Sequence, residues 1–289
     1  MQNLQTIRDV LRYAVTSFNK AGLAHGHGAS NAIDEAAFLI LESLKLPVDD
    51  INPWADARLT AAERDALLAL IDKRITTRKP AAYLVNRVYM QGVPFYVDER
   101  VIVPRSYIGE MMAKGLLADL DVDFDAAESV LDLCTGSGCL AILAASQFPN
   151  AEIHAADLSQ DALDVAAINV KDHNLQERIT LHQGNLFAPL DKMNFDFIIT
   201  NPPYVAKAEV ENFPPEYKAE PQMAHLGGED GFDLVRQILR DAPKHINKGG
   251  GLLCEVGTGG EILETEFPNL NFFWLDSEES EGEVFFLKF

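Results

Sequence analysis

The chain has 289 residues, which suits one domain of ordinary size beside a smaller one. It is 47% hydrophobic and 24% charged, with a net charge of −20, the make-up of an ordinary folded soluble protein with an acid excess. No apolar run approaches the roughly 20 residues that a membrane helix needs, and the acid excess works against binding nucleic-acid phosphates.

The same charge either keeps the protein soluble or draws in a basic partner. The start, Met1-Gln2-Asn3-Leu4, lacks a basic segment followed by an apolar core, so no signal peptide is expected. Cys134, Cys139 and Cys254 are too few and too irregular for a disulfide framework or a zinc knuckle. They read as reduced thiols of a cytoplasmic protein.

The first 85 residues read as helices. Leu4, Ile7, Leu11, Val15 and Phe18 recur at helical spacing. A second apolar stripe, Ile33, Ala37, Ile40, Leu41 and Leu44, predicts a helix from about 31 to 44. Thr60-Ala61-Ala62-Glu63 is a capping box that opens a third helix. The pattern then changes. Residues 89–97 predict a β-hairpin turning near Gly92, and a helix follows Pro104 from about 107 to 117.

Strand and helix alternate beyond that, which predicts a parallel sheet covered on both faces. Strands are expected at 129–133, 152–156, 179–183, 195–200 and 252–256, with helices at 138–147 and 161–172. The late strands 272–275 and 284–287 are joined by a short acidic loop and must be antiparallel.

Two segments carry chemistry. Val130–Cys139 is an apolar strand, a turn with Gly136 and Gly138, then a helix. The glycines let backbone pass close under a ligand, and the helix start offers free N–H groups. Such a turn serves a nicotinamide cofactor or merely a tight turn. It does not match the full dinucleotide fingerprint, and Asp132 inside it suits the amino group of a methionine moiety. Asp157, at the end of the second strand of this sheet, is placed either to accept from ribose hydroxyls or to cap the next helix.

The second segment is Asn201-Pro202-Pro203-Tyr204, directly after a strand. Two prolines fix φ and remove two backbone donors. The Pro202 carbonyl and the Asn201 side-chain oxygen can then accept both N–H bonds of one NH₂ group. They would hold its nitrogen towards a methyl donor, with the Tyr204 ring against a planar amide or base.

The tetrapeptide together with the glycine turn resembles the class I nitrogen methyltransferases, and more narrowly the protein-(glutamine-N5) methyltransferases. The likeness runs over nearly the whole chain and includes Phe95–Arg105 and Glu220–Gly231. It implies an α/β fold of Rossmann-like type: a seven-stranded sheet with the last strand antiparallel, and a small helical N-terminal domain. It further implies a helical substrate-recognition domain at 1–85, a hairpin linker at 86–105 and a catalytic domain at 106–289 that binds S-adenosyl-L-methionine. Residues Cys134, Thr135, Gly136, Ser137 and Gly138, with Asp132, would wrap the methionine part of that cofactor. Asp157 and Leu158 would hold the ribose, and Asn185 and Leu186 the adenine. Relatives often have Asp where Asn185 stands and an aromatic where Leu186 stands. Asn201 to Tyr204 would hold the acceptor amide.

One branch of the family modifies peptide release factors; its chains usually continue Pro-Arg as Pro-Glu-Thr-Glu. Here Pro104-Arg105 leads into Ser106-Tyr107-Ile108, like the branch that modifies ribosomal protein L-three of the large subunit. Pro104 and Arg105 are thereby candidates to line the acceptor site. The expected activity is methyl transfer to a glutamine side-chain nitrogen of that basic ribosomal protein. Release factors and adenine N6 of nucleic acid are the alternatives, the last disfavoured by the acidic charge. His25 and His27 read as part of a glycine-rich loop rather than a metal pair, and Glu278–Glu281 as a solvated turn.

Overall fold

The computed structural model describes residues 3–118, 120–278 and 280–289. Four helices come first: α1 (Ile7–Ala21), α2 (Ala32–Leu44), α3 (Ala61–Thr77) and α4 (Ala81–Val85). Thr6 and Thr60 start α1 and α3 with complete capping boxes, and the Asn31 side chain caps α2 rather than lying within it. The α1–α3 stripes meet in one hydrophobic cluster that includes Val10, Phe18, Leu39, Leu67 and Ile71.

The hairpin follows as β1 (Val88–Met90) and β2 (Val93–Phe95), and then comes α5 (Tyr107–Ala113). The hairpin is more than a linker. Val88, Met90, Phe95, Val97, Val101 and Val103 are buried in one cluster with Val130, Ile153 and Phe197 of the main sheet. Helix α5 is four residues shorter than its predicted end, because the chain turns at Lys114 and Gly115 adopts φ +69°.

The main sheet is built from β3 (Ser129–Leu133), α6 (Cys139–Gln147), β4 (Glu152–Asp157), α7 (Gln160–Asp172), β5 (Ile179–Gln183) and β6 (Phe195–Thr200). It is completed by α8 (Lys207–Val210), α9 (Asp233–Asp241), β7 (Ile246–Glu255), α10 (Gly260–Glu266), β8 (Phe273–Leu275) and β9 (Val284–Lys288). The seven strands lie in the order β5-β4-β3-β6-β7-β9-β8. Strands β3 to β7 are parallel, and β9 runs antiparallel to both β7 and β8. The order reverses next to β3, where open α/β sheets form a crevice at the carboxyl ends of their strands.

Strand β7 begins six residues before its predicted start. The run Gly249-Gly250-Gly251 looks like a breaker, but Gly250 and Gly251 lie against neighbours with no room for a Cβ. A Cβ on Gly250 would meet the Asp196 carbonyl at 2.6 Å, and one on Gly251 the Phe286 ring at 2.2 Å. Val256 falls just beyond the strand. Helices α4, α8, α9 and α10 had no counterpart in the predicted elements, and all four start without a side-chain cap. No helix among the described residues is long and apolar enough to cross a membrane.

Charged groups buried between the N-terminal helices and the 214–225 segment join the two parts. Arg74 is fully buried and pairs with Glu35, and its guanidinium lies 3.8 Å from Glu216. Arg78 reaches Glu216 at 2.6 Å and the Ala21 carbonyl at 2.7 Å. His25 contacts Glu35 at 2.8 Å, and His27 packs on the Tyr217 ring. Removing one member of a buried pair strands the other's charge, typically at about 3–5 kcal/mol. Arg74→Met is therefore expected to lower the urea unfolding free energy by about that amount. A change under about 1 kcal/mol, within the range of a surface pair, would show that the pair carries no such role.

Candidate active site

The crevice forms where β3 leaves the sheet. Leu131 to Leu133 are buried, and the chain then turns through Cys134 at φ +64°, Gly136 at +55° and Gly138 at +81°. The turn is fixed from below. Asp132 Oδ2 accepts from Thr135 Oγ at 2.5 Å and from Ala141 N at 2.9 Å. Thr135 N donates to the Ala156 carbonyl at 3.0 Å, and Asn169 Nδ2 to the Ser137 carbonyl at 2.8 Å. A Cβ on Gly138 would stand 3.2 Å from Ala166 Cβ, so this glycine lets α6 begin close against α7.

The five residues of the turn therefore divide. Cys134 and Gly136 line the cleft. Thr135, Ser137 and Gly138 lie behind that lining, with Asp132, and shape the turn from within. Asp132 is wholly buried, its Oδ1 has no partner, and burial pushes its carboxyl up to about 7.

Asp157 lies on the cleft wall. It accepts from Gly136 N and Ser159 N, both at 2.9 Å, so it ties β4 to the glycine turn. The cap of α7 is the Ser159 side chain, not Asp157. Burial raises the Asp157 carboxyl above its ordinary value. Leu158, Gly184, Asn185 and Leu186 continue the wall, with Leu158 largely exposed at the mouth. The cleft has a cavity volume of about 130 Å³ and widens where it opens to solvent.

Asn201 and Pro203 close the far side of this cleft, while Pro202 is buried between them. Asn201 Nδ2 donates to the Arg105 carbonyl at 3.2 Å. Its Oδ1 accepts from no donor among the described residues. Tyr204 turns the other way, into a second cavity that it lines with Tyr89, Pro104, Arg105, Ser106, Tyr107 and Glu255. Its hydroxyl donates to Glu255 Oε1 at 2.9 Å. The tetrapeptide is thus a partition between two cavities.

Several residues of the site were not picked out from the sequence. Arg100, Val101 and Ile102 on one side, and Pro221, Met223 and Ala224 on the other, wall the first cleft. The only sequence signal for them was the likeness of their segments to the family. Glu255, the last residue of β7, is a further one. It is 1% exposed and collects Ser106 Oγ at 2.6 Å, Tyr107 N at 3.0 Å and the Tyr204 hydroxyl.

Burial pushes the Glu255 carboxyl from 4.5 up to about 7. An acid held above its ordinary value binds its proton more tightly in the fold, so protonation favours the folded state. That contribution is present below pH 4.5 and is lost as the pH rises through about 7. Urea titrations across this window are expected to show the Glu255 contribution as a decline of stability with pH that is less steep in Glu255→Gln, where the parts of Asp132 and Asp157 remain. An unchanged slope in the variant would refute the assignment.

The sheet order, the antiparallel β9 and a cleft over β3, β4 and β6 define a class I methyltransferase fold. A methyltransferase from Pyrococcus furiosus superposes with a TM-score of 0.50 at 14% identity, covering 80% of this chain and 98% of that one. The hMettl16 catalytic domain, solved with a MAT2A 3′UTR hairpin, gives 0.54 at 13% identity, covering 88% of this chain and 90% of that one. These likenesses concern the fold alone. The "Methyltransferase small domain" family model matches residues 111–213.

The ribosomal protein uL3 glutamine methyltransferase of Bradyrhizobium diazoefficiens is 56% identical, covering 98% of this chain and 91% of the relative. That of Bordetella pertussis is 50% identical, covering 99% and 96%. The chain belongs to this family of glutamine methyltransferases.

Proposed function

We propose that the first cleft binds S-adenosyl-L-methionine and that the second cavity admits a glutamine of ribosomal protein uL3 for methylation at its side-chain nitrogen. The observation that carries this reading is the Asn201 amide, whose nitrogen is occupied by the Arg105 carbonyl and whose oxygen is left as a free acceptor.

The lining suits the cofactor. Asp157 offers carboxylate lone pairs to a ribose diol, and Leu158 and Leu186 offer apolar walls to a flat base. Asp132 Oδ1, without a partner among the described residues, leaves an acceptor behind the turn that would carry a methionine ammonium group, and a cation there would favour the ionised carboxylate. Asn185 supplies an amide oxygen where relatives often have a carboxylate. Bound there, the cofactor supplies an activated methyl group on a sulfonium.

The protein's own part is to position the acceptor. A carboxamide nitrogen is a poor nucleophile, because its lone pair is delocalised into the carbonyl. Asn201 Oδ1 and the Pro202 carbonyl accept its two N–H bonds and return electron density to the nitrogen. They also fix its approach, which can account for a large share of a rate. Tyr204, anchored by Glu255, forms the wall on the acceptor side.

Charge favours a basic protein acceptor. Residues 86–289 hold 34 acidic and 14 basic side chains, while residues 1–85 hold ten of each. The attraction is therefore centred on the part that holds the site, and it would repel a nucleic-acid phosphate backbone. The ribosomal substrate in the relatives' names agrees with a cytoplasmic location.

Transfer of labelled methyl from S-adenosyl-L-methionine to uL3, to a peptide release factor and to DNA tests the reading. Label is expected on uL3, and label on DNA alone would refute it. Asn201→Ala is expected to lower kcat by about 10²–10³-fold, the usual scale for losing one aligned hydrogen-bonding group. A normal rate in that variant would exclude the clamp.

A further inference from the structure

We propose that Glu220 is a positioning residue that sets the orientation of the Asn201 amide through Arg105. This rests on the reading of Asn201 as the acceptor clamp. Glu220 is far from the tetrapeptide in sequence and does not line the cofactor cleft, yet its side chain is wholly buried.

Its carboxylate accepts hydrogen bonds from Val103 and Arg105 and has two histidine rings close by. Val103 N reaches Oε1 at 2.8 Å. The Arg105 guanidinium grips both oxygens, at 3.0 and 2.9 Å. His225 Nε2 lies 3.0 Å from Oε2, and His27 of the N-terminal helices 3.5 Å from the same oxygen. Donors so arranged hold the group charged well below its ordinary range, despite its burial.

The geometric consequence falls on Pro104 and its neighbours. Glu220 is bonded to the residue before Pro104 and to the side chain of the residue after it. Arg105 Nη1 also returns to the Val103 carbonyl at 3.1 Å. Pro104 contributes a fixed φ and no donor of its own. The backbone from 103 to 105 is thereby pinned, and the Arg105 carbonyl points to Asn201 Nδ2.

The other side of the loop is closed as well. Val205, next after the tetrapeptide, donates to the His225 carbonyl at 2.9 Å and accepts from Gly227 N at 2.9 Å. Gly227 leaves no room for a Cβ, which would meet the Pro203 carbonyl at 2.8 Å. Glu220, Arg105, Asn201, Val205 and His225 thus form a closed ring of contacts. If the ring opens at Glu220, the Arg105 carbonyl is free to move and Asn201 loses what distinguishes its nitrogen from its oxygen.

The test is a double-mutant cycle on kcat, run on the full chain with labelled S-adenosyl-L-methionine and uL3. Glu220→Gln keeps the shape and removes the charge. It is expected to lower kcat by about 10–100-fold, the scale of a small misplacement at a reacting centre. The acceptor KM and the cofactor Kd from calorimetry are expected to stay within about 3-fold, because neither pocket loses a lining residue. In the Asn201→Ala background, Glu220→Gln is expected to change kcat by less than about 3-fold, since residues acting as a unit are not additive.

Penalties that multiply in the double variant would show that Glu220 acts independently of Asn201, and would overturn the proposal while leaving the clamp intact. A wild-type kcat in Glu220→Gln would overturn it equally. A wild-type rate in Asn201→Ala would remove the clamp itself, and the proposal with it. If Glu220→Gln fails to bind cofactor and shows no folded circular dichroism, Arg105→Lys replaces it in the same cycle. That variant keeps a cation beside Glu220 but loses the two-pronged grip; because Arg105 itself lines the second cavity, kcat alone is read in it, and the same kcat outcomes decide.

Discussion

An asparagine amide can offer either a donor or an acceptor to a ligand, and the hydrogen bond from Asn201 Nδ2 to the Arg105 carbonyl decides which. On the proposed reading, the free oxygen makes the strand end a place for an NH₂ group rather than a carbonyl. Much of the surrounding structure serves to keep it so. Strand β6 delivers Asn201 between β3 and β7, the two prolines remove competing donors, and the hairpin-to-α5 segment brings up the Arg105 carbonyl. The N-terminal helices reach the same region through buried ions rather than through the cleft.

Those ions carry a physical cost that an apolar interface would avoid. Arg74, Glu216, Glu220 and Glu35 are each almost fully withdrawn from water. Such groups stay charged only with close partners, and the pairs often add little net stability. Their use is geometric. An apolar contact tolerates sliding, whereas a two-pronged guanidinium–carboxylate pair fixes both distance and plane. Asp132 and Glu255 pose the opposite case, carboxyls whose burial is only partly offset, one beneath the cofactor turn and one behind Tyr204.

How much of this was legible in the sequence follows from how local each signal is. Strands β3, β5 and β6 match their predicted bounds, since each is a short run set off by turn residues. The tetrapeptide and the glycine turn stood out for the same reason, because each is a run of consecutive residues. Strand β7 was underestimated because glycine reads as a break unless the close neighbour, Phe286, is seen. Glu220 and Glu255 were not legible as parts of the site. Their partners lie 115 and 149 residues away, at Arg105 and Ser106, and periodicity holds no trace of such pairings. The turn residues Thr135 and Ser137 were expected at the cofactor, yet their side chains face inward to Asp132 and Cys139.

The most direct measurement is a crystal structure with a glutamine-bearing uL3 segment and S-adenosylhomocysteine. The account predicts the glutamine side-chain nitrogen within hydrogen-bonding distance of both Asn201 Oδ1 and the Pro202 carbonyl, with Asn201 Nδ2 still on the Arg105 carbonyl. A glutamine nitrogen bonded elsewhere, or an Asn201 amide turned to present its nitrogen to the acceptor, would contradict it.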